Sequence, residues 1–244
     1  TIAPTEAIIY ECSVRDMTMH PFTGTTTHGK FKSLCEDGTE YRGLPTGLNY
    51  IKSLGVTHVQ FMPVTDFSTV DDFKPELNYN WGYDPRQYLS LKGSFSSDPD
   101  HPYVRMKEFK ELVACLHRNH LRVTLDVVFN HVYDVAETAF DCLVPYYYFR
   151  YNEEGYMSNG SYCGNDFASE MPMASRYLVY VIRSLMQIYG IDGFRFDLMG
   201  IIDVATMNKI RNEAIRNNPS ALIYGEGWDM PTMLQGSQKA NIHN

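Results

Sequence analysis

Short apolar runs alternate with longer amphipathic stretches along this chain, and the alternation predicts nine elements in order. The apolar runs Ala7–Val14, Val56–Val64, Leu121–Phe129, Gly193–Leu198 and Ala221–Glu226 have the length and β-branched or aromatic content of strands. Between them lie helical patterns. Gly47–Leu54 is closed by Gly55, which suits the left-handed residue after a helix. Tyr103–Asn119 repeats apolar residues at Val104, Phe109, Leu112, Val113 and Leu116. Pro172–Tyr189 starts on a proline, which fits a first helical turn, and Asp203–Asn217 starts on an aspartate. Strand–helix alternation implies a parallel sheet and an α/β fold.

Two connections stand apart, Thr65–Pro102 after the second strand and His131–Met171 after the third; both are rich in Tyr, Asn, Asp and Gly. Loops of that length in a compact domain are functional or form a small subdomain. Both leave the C-terminal ends of strands, which matches the working face of a (β/α)8 TIM barrel. A whole barrel takes about 250 residues, so 244 residues alone suggest a closed one. The pattern yields only five β/α units, because the loops consume the remainder. The expectation is one domain over 1–244, the first five units of the barrel, with 131–171 inserted after the third strand. A partial barrel leaves two sheet edges, which invites edge pairing. The strand pattern begins almost at once, as if the chain opened inside a domain, and no short-period repeat or low-complexity segment interrupts it.

Composition narrows the function. The net charge of −8, with no basic stripe, argues against nucleic acid as a partner. No apolar run is long enough to span a membrane, and no signal peptide is seen at Thr1, so no membrane partner is expected. The five cysteines, Cys12, Cys35, Cys115, Cys142 and Cys163, are odd in number and lack C-x-x-C spacing. They predict neither a zinc site nor a disulfide framework, but buried free thiols. That favours a cytoplasmic location over a secreted one, while leaving localisation open. The 18 tyrosines suit sugar-binding clefts and ordinary cores alike.

The chemistry gathers at strand ends. GFRFDLMG (193–200) is an apolar strand carrying Arg195 and Asp197 two residues apart, hence on one face. The second strand leads to YNWGYDP (79–85), the third ends in DVVFNH (126–131), and the fifth runs into YGEGW (224–228). Polar and aromatic groups at four strand ends form a catalytic distribution; an isolated Arg–Asp pair would read as a structural salt bridge. Asp197 and Glu226 end adjacent strands, about 4.8 Å apart. That is near the roughly 5–5.5 Å of retaining glycosidases and short of the roughly 6.5–9.5 Å of inverting ones. Asp197 then reads as a nucleophile that Arg195 keeps ionised. Glu226 reads as an acid whose pKa is raised by burial near Asp197, unobstructed between two glycines. Asp126 sits earlier in its strand and is expected to support Arg195 rather than react.

DVVFNH, GFRFD and GEGW resemble three motifs of the α-amylase superfamily of glycoside hydrolases, in that family's order. YNWGYDP is similar to the signature of the type I pullulanases, as are CGNDFASE (163–170) and GFRFDLMG followed by DVATMNKIR. The likeness covers nearly the whole chain from Ala7. It implies cleavage of α-1,6 branch links in pullulan, starch or glycogen-type glucans, with an α-glucan as partner. It makes Asp197 the nucleophile, Glu226 the acid and base, and Arg195 the holder of the nucleophile. It makes His131 a ligand of the reacting sugar, Asn130 its structural neighbour, Tyr83 the platform under that sugar, and Trp228 an aromatic on the leaving-group side. Trp81 is expected to pack in the core.

The family also uses a third carboxylate, an Asp after His in a late strand. The stretch DMPTMLQGSQKANIHN (229–244) holds no such motif. The resemblance thus implies that this chain is part of a longer enzyme, with the remainder of the catalytic domain as its partner, and is inactive alone. No cofactor is required; relatives often hold structural calcium, for which the residues name no ligand set. The rival functions are another amylase-superfamily enzyme (an isoamylase, a glycogen debrancher or an α-1,4-acting amylase) and a non-catalytic glucan-binding scaffold.

Overall fold

The computed structural model of the chain describes residues 2–244. Five strands form one parallel sheet in chain order: β1 (Ile9–Cys12), β2 (His58–Phe61), β3 (Arg122–Val127), β4 (Gly193–Phe196) and β5 (Leu222–Gly225). The helices are α1 (Gly47–Ser53), α2 (Pro102–Arg118), α3 (Ala139–Leu143), α4 (Pro172–Tyr189) and α5 (Val204–Asn217). All nine expected elements are present. The strands are shorter than their apolar runs, because residues such as Val64 and Phe129 remain buried after the ladder has ended. The pattern of burial outlasts the pattern of pairing. A hairpin of Glu40–Tyr41 with Leu44–Pro45 and the five-residue α3 were not anticipated, since neither is long enough to show a period.

Local chemistry sets the boundaries as expected. Gly55 takes the left-handed conformation after α1 (φ +68°). Pro172 occupies the first turn of α4, and Gly190 ends that helix at φ +75°. Asp203 caps α5, its side chain accepting from the Thr206 amide at 2.8 Å.

The register fixes which side chains share a face. Across the sheet, Leu125 lies beside Phe61 and Phe194, and Asp126 lies beside Arg195, which lies beside Tyr224. Alternation therefore gives one face to Val59, Phe61, Val123, Leu125, Val127, Phe194 and Phe196, all of them buried. They join a single core with Phe109, Leu112 and Leu116 of α2 and Leu178, Val181, Ile182 and Leu185 of α4. Burying each such side chain contributes about 1.5–3 kcal/mol. The other face carries Gln60, Thr124, Asp126, Arg195 and Tyr224.

That polar face is concave. Tyr224 on β5 donates through its hydroxyl to Oε1 of Gln60 on β2. In a flat sheet three strand spacings would separate them by about 14 Å, well beyond the reach of the two side chains. The sheet must curl to bring them together, as barrel staves do. Among the described residues it has five staves rather than eight, with β1 and β5 as its edges. The long segment after β3 holds α3 and two isolated bridges, Phe149 with Phe167 and Tyr151 with Met157. It seats Phe149 and Phe167 in the main core, so this segment is fastened to the sheet.

Candidate active site

Arg195 organises the mouth of the concave face. Its Nη1 donates to both carboxylate oxygens of Asp126, at 2.8 and 2.9 Å, and to Oδ1 of Asp197 at 3.1 Å. Its Nη2 pairs with Oε1 of Glu226. Three carboxylates from three neighbouring strands thus converge on one guanidinium, and they hold Arg195 protonated above its usual range although burial works against the charge. Asp126 follows from register, lying directly opposite Arg195. It is buried, and burial pushes its carboxyl up to about 6, resisted by Arg195 and by the Tyr83 hydroxyl.

Asp197 stands just beyond β4, its amide still donating to Val127 O at 3.1 Å. The next residue, Leu198, adopts a left-handed conformation (φ +41°), which a leucine takes only under constraint. The turn points the Leu198 amide at Glu226, donating to Oε2 at 3.2 Å. Strand β5 reaches this position because Gly225 lacks a side chain: a Cβ there would lie 2.5 Å from Phe196 O.

Arg195 was expected to favour the ionised form of Asp197. Burial raises the Asp197 pKa, while Asn130 and Arg195 both favour its carboxylate and Glu226 adds to the rise. Glu226 was expected to be buried, but its side chain is 34% exposed and paired with Arg195.

Asn130 is fully buried and acts more directly than a structural neighbour. Its Nδ2 donates to Asp197 twice, to the backbone oxygen at 2.8 Å and to Oδ2 at 2.9 Å. Its Oδ1 meets Nδ1 of His131. His131 is buried, and that burial brings its imidazole down to about 4. The ring is therefore neutral at neutral pH, able to donate and accept one hydrogen bond each. Tyr88, tilted against Phe129 in the aromatic core, fixes the His131 backbone by donating to its carbonyl at 2.8 Å.

YNWGYDP divides at its glycine. Gly82 has φ +97°, and a Cβ there would press on Phe67 and Pro63 at 3.0 Å. The turn sends Tyr83 inward, half-buried, with its hydroxyl donating to Asp126 Oδ2 at 2.7 Å. Burial first, and then Asp126, push this phenol above its usual range. Trp81 faces outward and is 57% exposed, so the expected core packing is wrong. Its indole donates to the Tyr79 hydroxyl at 2.6 Å, and that hydroxyl donates to Asp16. Trp228 is 63% exposed, an open aromatic face beside Glu226 in the chain.

Sequence reasoning missed the twofold donation by Asn130, the Gln60–Tyr224 brace and the Leu198 amide. The first was legible only as a residue within DVVFNH; the other two depend on curvature and on one backbone angle. Among the described residues no group of three or more His, Cys, Asp and Glu side chains could hold a metal ion. The thiols divide: Cys12 and Cys115 are buried, Cys35 is half-buried, and Cys142 and Cys163 are exposed, contrary to the uniform burial expected.

Comparison with known proteins places this geometry. The profile of the alpha amylase catalytic domain matches residues 21–144. The chain is 44% identical over 242 residues to the pullulanase of Bacillus subtilis (strain 168), covering 99% of this chain and 34% of that protein. It superposes on the pullulanase of Anoxybacillus sp. LM18-11 complexed with maltotetraose at a TM-score of 0.97 and 47% identity, covering 99% of this chain and 36% of that one. The pullulanase of Paenibacillus barengoltzii complexed with maltohexaose and alpha-cyclodextrin gives the same TM-score and identity, with 99% and 38% covered. The chain spans about a third of the length of the curated relative and of these structures.

Proposed function

Because the chain belongs to the α-amylase family, we propose that it carries the nucleophile and the acid/base of a retaining glycoside hydrolase that cleaves α-1,6 links in branched α-glucans. The observation behind the reading is that Asp197 and Glu226, from adjacent strand ends, bind two nitrogens of one guanidinium. Carboxyl groups gathered on one guanidinium can flank a single glycosidic bond, as the nucleophile and acid of a retaining enzyme do.

In this mechanism the Asp197 carboxylate attacks the anomeric carbon. The bond to the glycosidic oxygen breaks, and that oxygen takes the proton of Glu226. A glucosyl ester of Asp197 results. Glu226, now a carboxylate, removes a proton from water as the water attacks the same carbon, and both groups return to their starting states. The acid role requires Glu226 to leave Arg195 and turn to the glycosidic oxygen as substrate enters. Asp126 then remains to compensate the guanidinium. Asn130 donates to the oxygen of Asp197 that Arg195 does not hold, which orients the carboxylate. Neutral His131 hydrogen-bonds the reacting sugar, while Tyr83 and Trp228 stack on its faces and on those of the leaving chain. On this reading residues 1–244 supply two of the three carboxylates that the family chemistry uses, and 131–171 forms the subdomain beside the cleft.

The test is product analysis with the full-length protein. An α-1,6 enzyme releases maltotriose from pullulan, and an α-1,4-acting amylase does not. Asp197→Ala and Glu226→Gln are expected to abolish turnover while leaving the unfolding transition cooperative. Residual activity above about a tenth of wild type in either variant would break the assignment, since losing a group that acts in the transition state costs orders of magnitude.

A further inference from the structure

A buried lysine lies at the base of the loop that carries YNWGYDP, and the chemistry above makes no use of it. Lys92 is 2% exposed. Its Nζ donates to the backbone oxygens of Phe67 at 2.8 Å and Val70 at 2.7 Å. It also stands 3.0 Å from Oδ1 of Asp72 and 3.5 Å from Oδ1 of Asp66. The Phe67 ring covers it, with the centroid 4.6 Å away. Asp72 comes this near because Gly93 has no side chain: a Cβ there would lie 2.1 Å from Asp72 Oδ2. Four oxygens and an aromatic face surround one positive charge, the donor set of a cation site filled by a side chain.

Without that charge the shell would repel itself, since two carbonyls and two carboxylates would face one another largely out of water. The course of residues 65–92 therefore depends on the ammonium. Thr65 pairs with Leu91 and Phe67 with Pro85, and the Asp66 carbonyl accepts from the Arg86 amide at 2.8 Å. From Lys92 the contacts run to the site without a gap. Phe67, whose carbonyl and ring both meet the ammonium, presses on Gly82. Two residues on, Thr69 Oγ1 accepts from Asn80 Nδ2, and Asn80 Oδ1 accepts from the Gly82 amide at 2.6 Å. The turn at Gly82 is the one that directs Tyr83 to Asp126.

We propose that Lys92 is a positioning residue for the Tyr83 platform, its ammonium serving as an internal cation around which the loop is wound, so that Phe67 and Asn80 hold the Gly82 turn. The kinetic consequence rests on the hydrolase reading given above; the structural one does not.

Lys92→Met in the full-length protein keeps the methylene volume and deletes the charge. It is expected to raise KM on pullulan by about fivefold or more. In a Tyr83→Ala background the same change is expected to alter kcat/KM by less than about twofold, because the platform through which Lys92 acts is gone. A lysine that only supports the fold gives equal factors in both backgrounds, and that result refutes the proposal, as does an unchanged KM. Hydrogen exchange reads the loop without turnover. Amides of 79–85 are expected to exchange about tenfold faster in Lys92→Met, with those of 193–196 as in wild type. Unaltered exchange in 79–85 also refutes it. Where Lys92→Met does not unfold cooperatively, Lys92→Ala is measured with n-propylammonium, which replaces the deleted chain and its charge, and with n-propanol, which replaces the chain alone. Protection of 79–85 regained with the amine only supports the proposal; regained with both, or with neither, it overturns it. If wild type hydrolyses no pullulan, the hydrolase reading falls, and the exchange and rescue measurements still decide the role of Lys92.

Discussion

Replacing Asn130 by alanine isolates what the buried amide does for Asp197. Three hydrogen bonds disappear: one to the neutral Asp197 carbonyl at 2.8 Å, one to its carboxylate at 2.9 Å, and the one between Oδ1 and His131 Nδ1. The first and third are worth about 1 kcal/mol each and the second about 1.5–3 kcal/mol, because its acceptor is charged. The total loss of stability at pH 8 is then about 4 kcal/mol. Only the second bond depends on protonation. Burial already raises the Asp197 pKa in the folded state, and Asn130 is the largest of the groups that oppose the rise. Removing it raises the folded pKa further, because the lost bond favours the charged carboxylate.

A folded pKa above the unfolded value contributes stability that is complete at low pH and is lost as pH rises through the folded value. The cost of Asn130→Ala must therefore grow with pH, and be greater at pH 8 than at pH 5. His131, which also touches Asn130, does not confuse this comparison. Its folded pKa is about 4, so it is already mostly neutral at pH 5. Urea unfolding of wild type and variant at the two pH values supplies both numbers. A cost that is equal at both, larger at pH 5, or below about 1 kcal/mol throughout would refute the role given to Asn130.

Three further outcomes are expected. His131 titrates near 4, so its ring stays neutral above about pH 5; folding stability contributed by this group is present above about pH 6.5 and lost on acidification toward 4, and NMR titration of its ring signals checks the midpoint. Tyr83→Phe removes the 2.7 Å bond to Asp126, costs about 1–2 kcal/mol in urea unfolding and raises the Asp126 pKa above its present value of about 6; no change in either would discount the bond. Gly225→Ala sets a methyl group 2.5 Å from Phe196 O and is expected to destabilise the chain by about 1–3 kcal/mol, while the same change at exposed Gly236, which meets nothing within 4 Å, costs less than about 1 kcal/mol.

Composition, periodicity and a few short motifs were enough to give the order of elements and to pick out the polar residues that gather at the strand ends. Burial repeats at a period of two or 3.6 wherever a strand or helix rests on a core, so α2, α4 and all five strands were legible from apolar spacing. Arg195 and Asp197 shared a face by parity, and Asp126 came within reach of Arg195 for the same reason. Short elements without a full period, such as α3, were not legible. Neither was anything that depends on how far the sheet bends. The Gln60–Tyr224 brace joins residues 164 positions apart, and only curvature brings them into contact. Whether Asp197 is held ionised or pushed toward its neutral form also lay beyond the pattern. It depends on a balance of burial against two donors, and that balance exists only once β3, β4 and β5 close around the same guanidinium. Exposure divided in the same way. Trp81 and Tyr83 are two residues apart in one motif, yet the turn at Gly82 sends one to solvent and the other to Asp126. Periodicity records which residues avoid water on average, whereas the charge state and aim of a side chain are set by the particular neighbours that folding supplies.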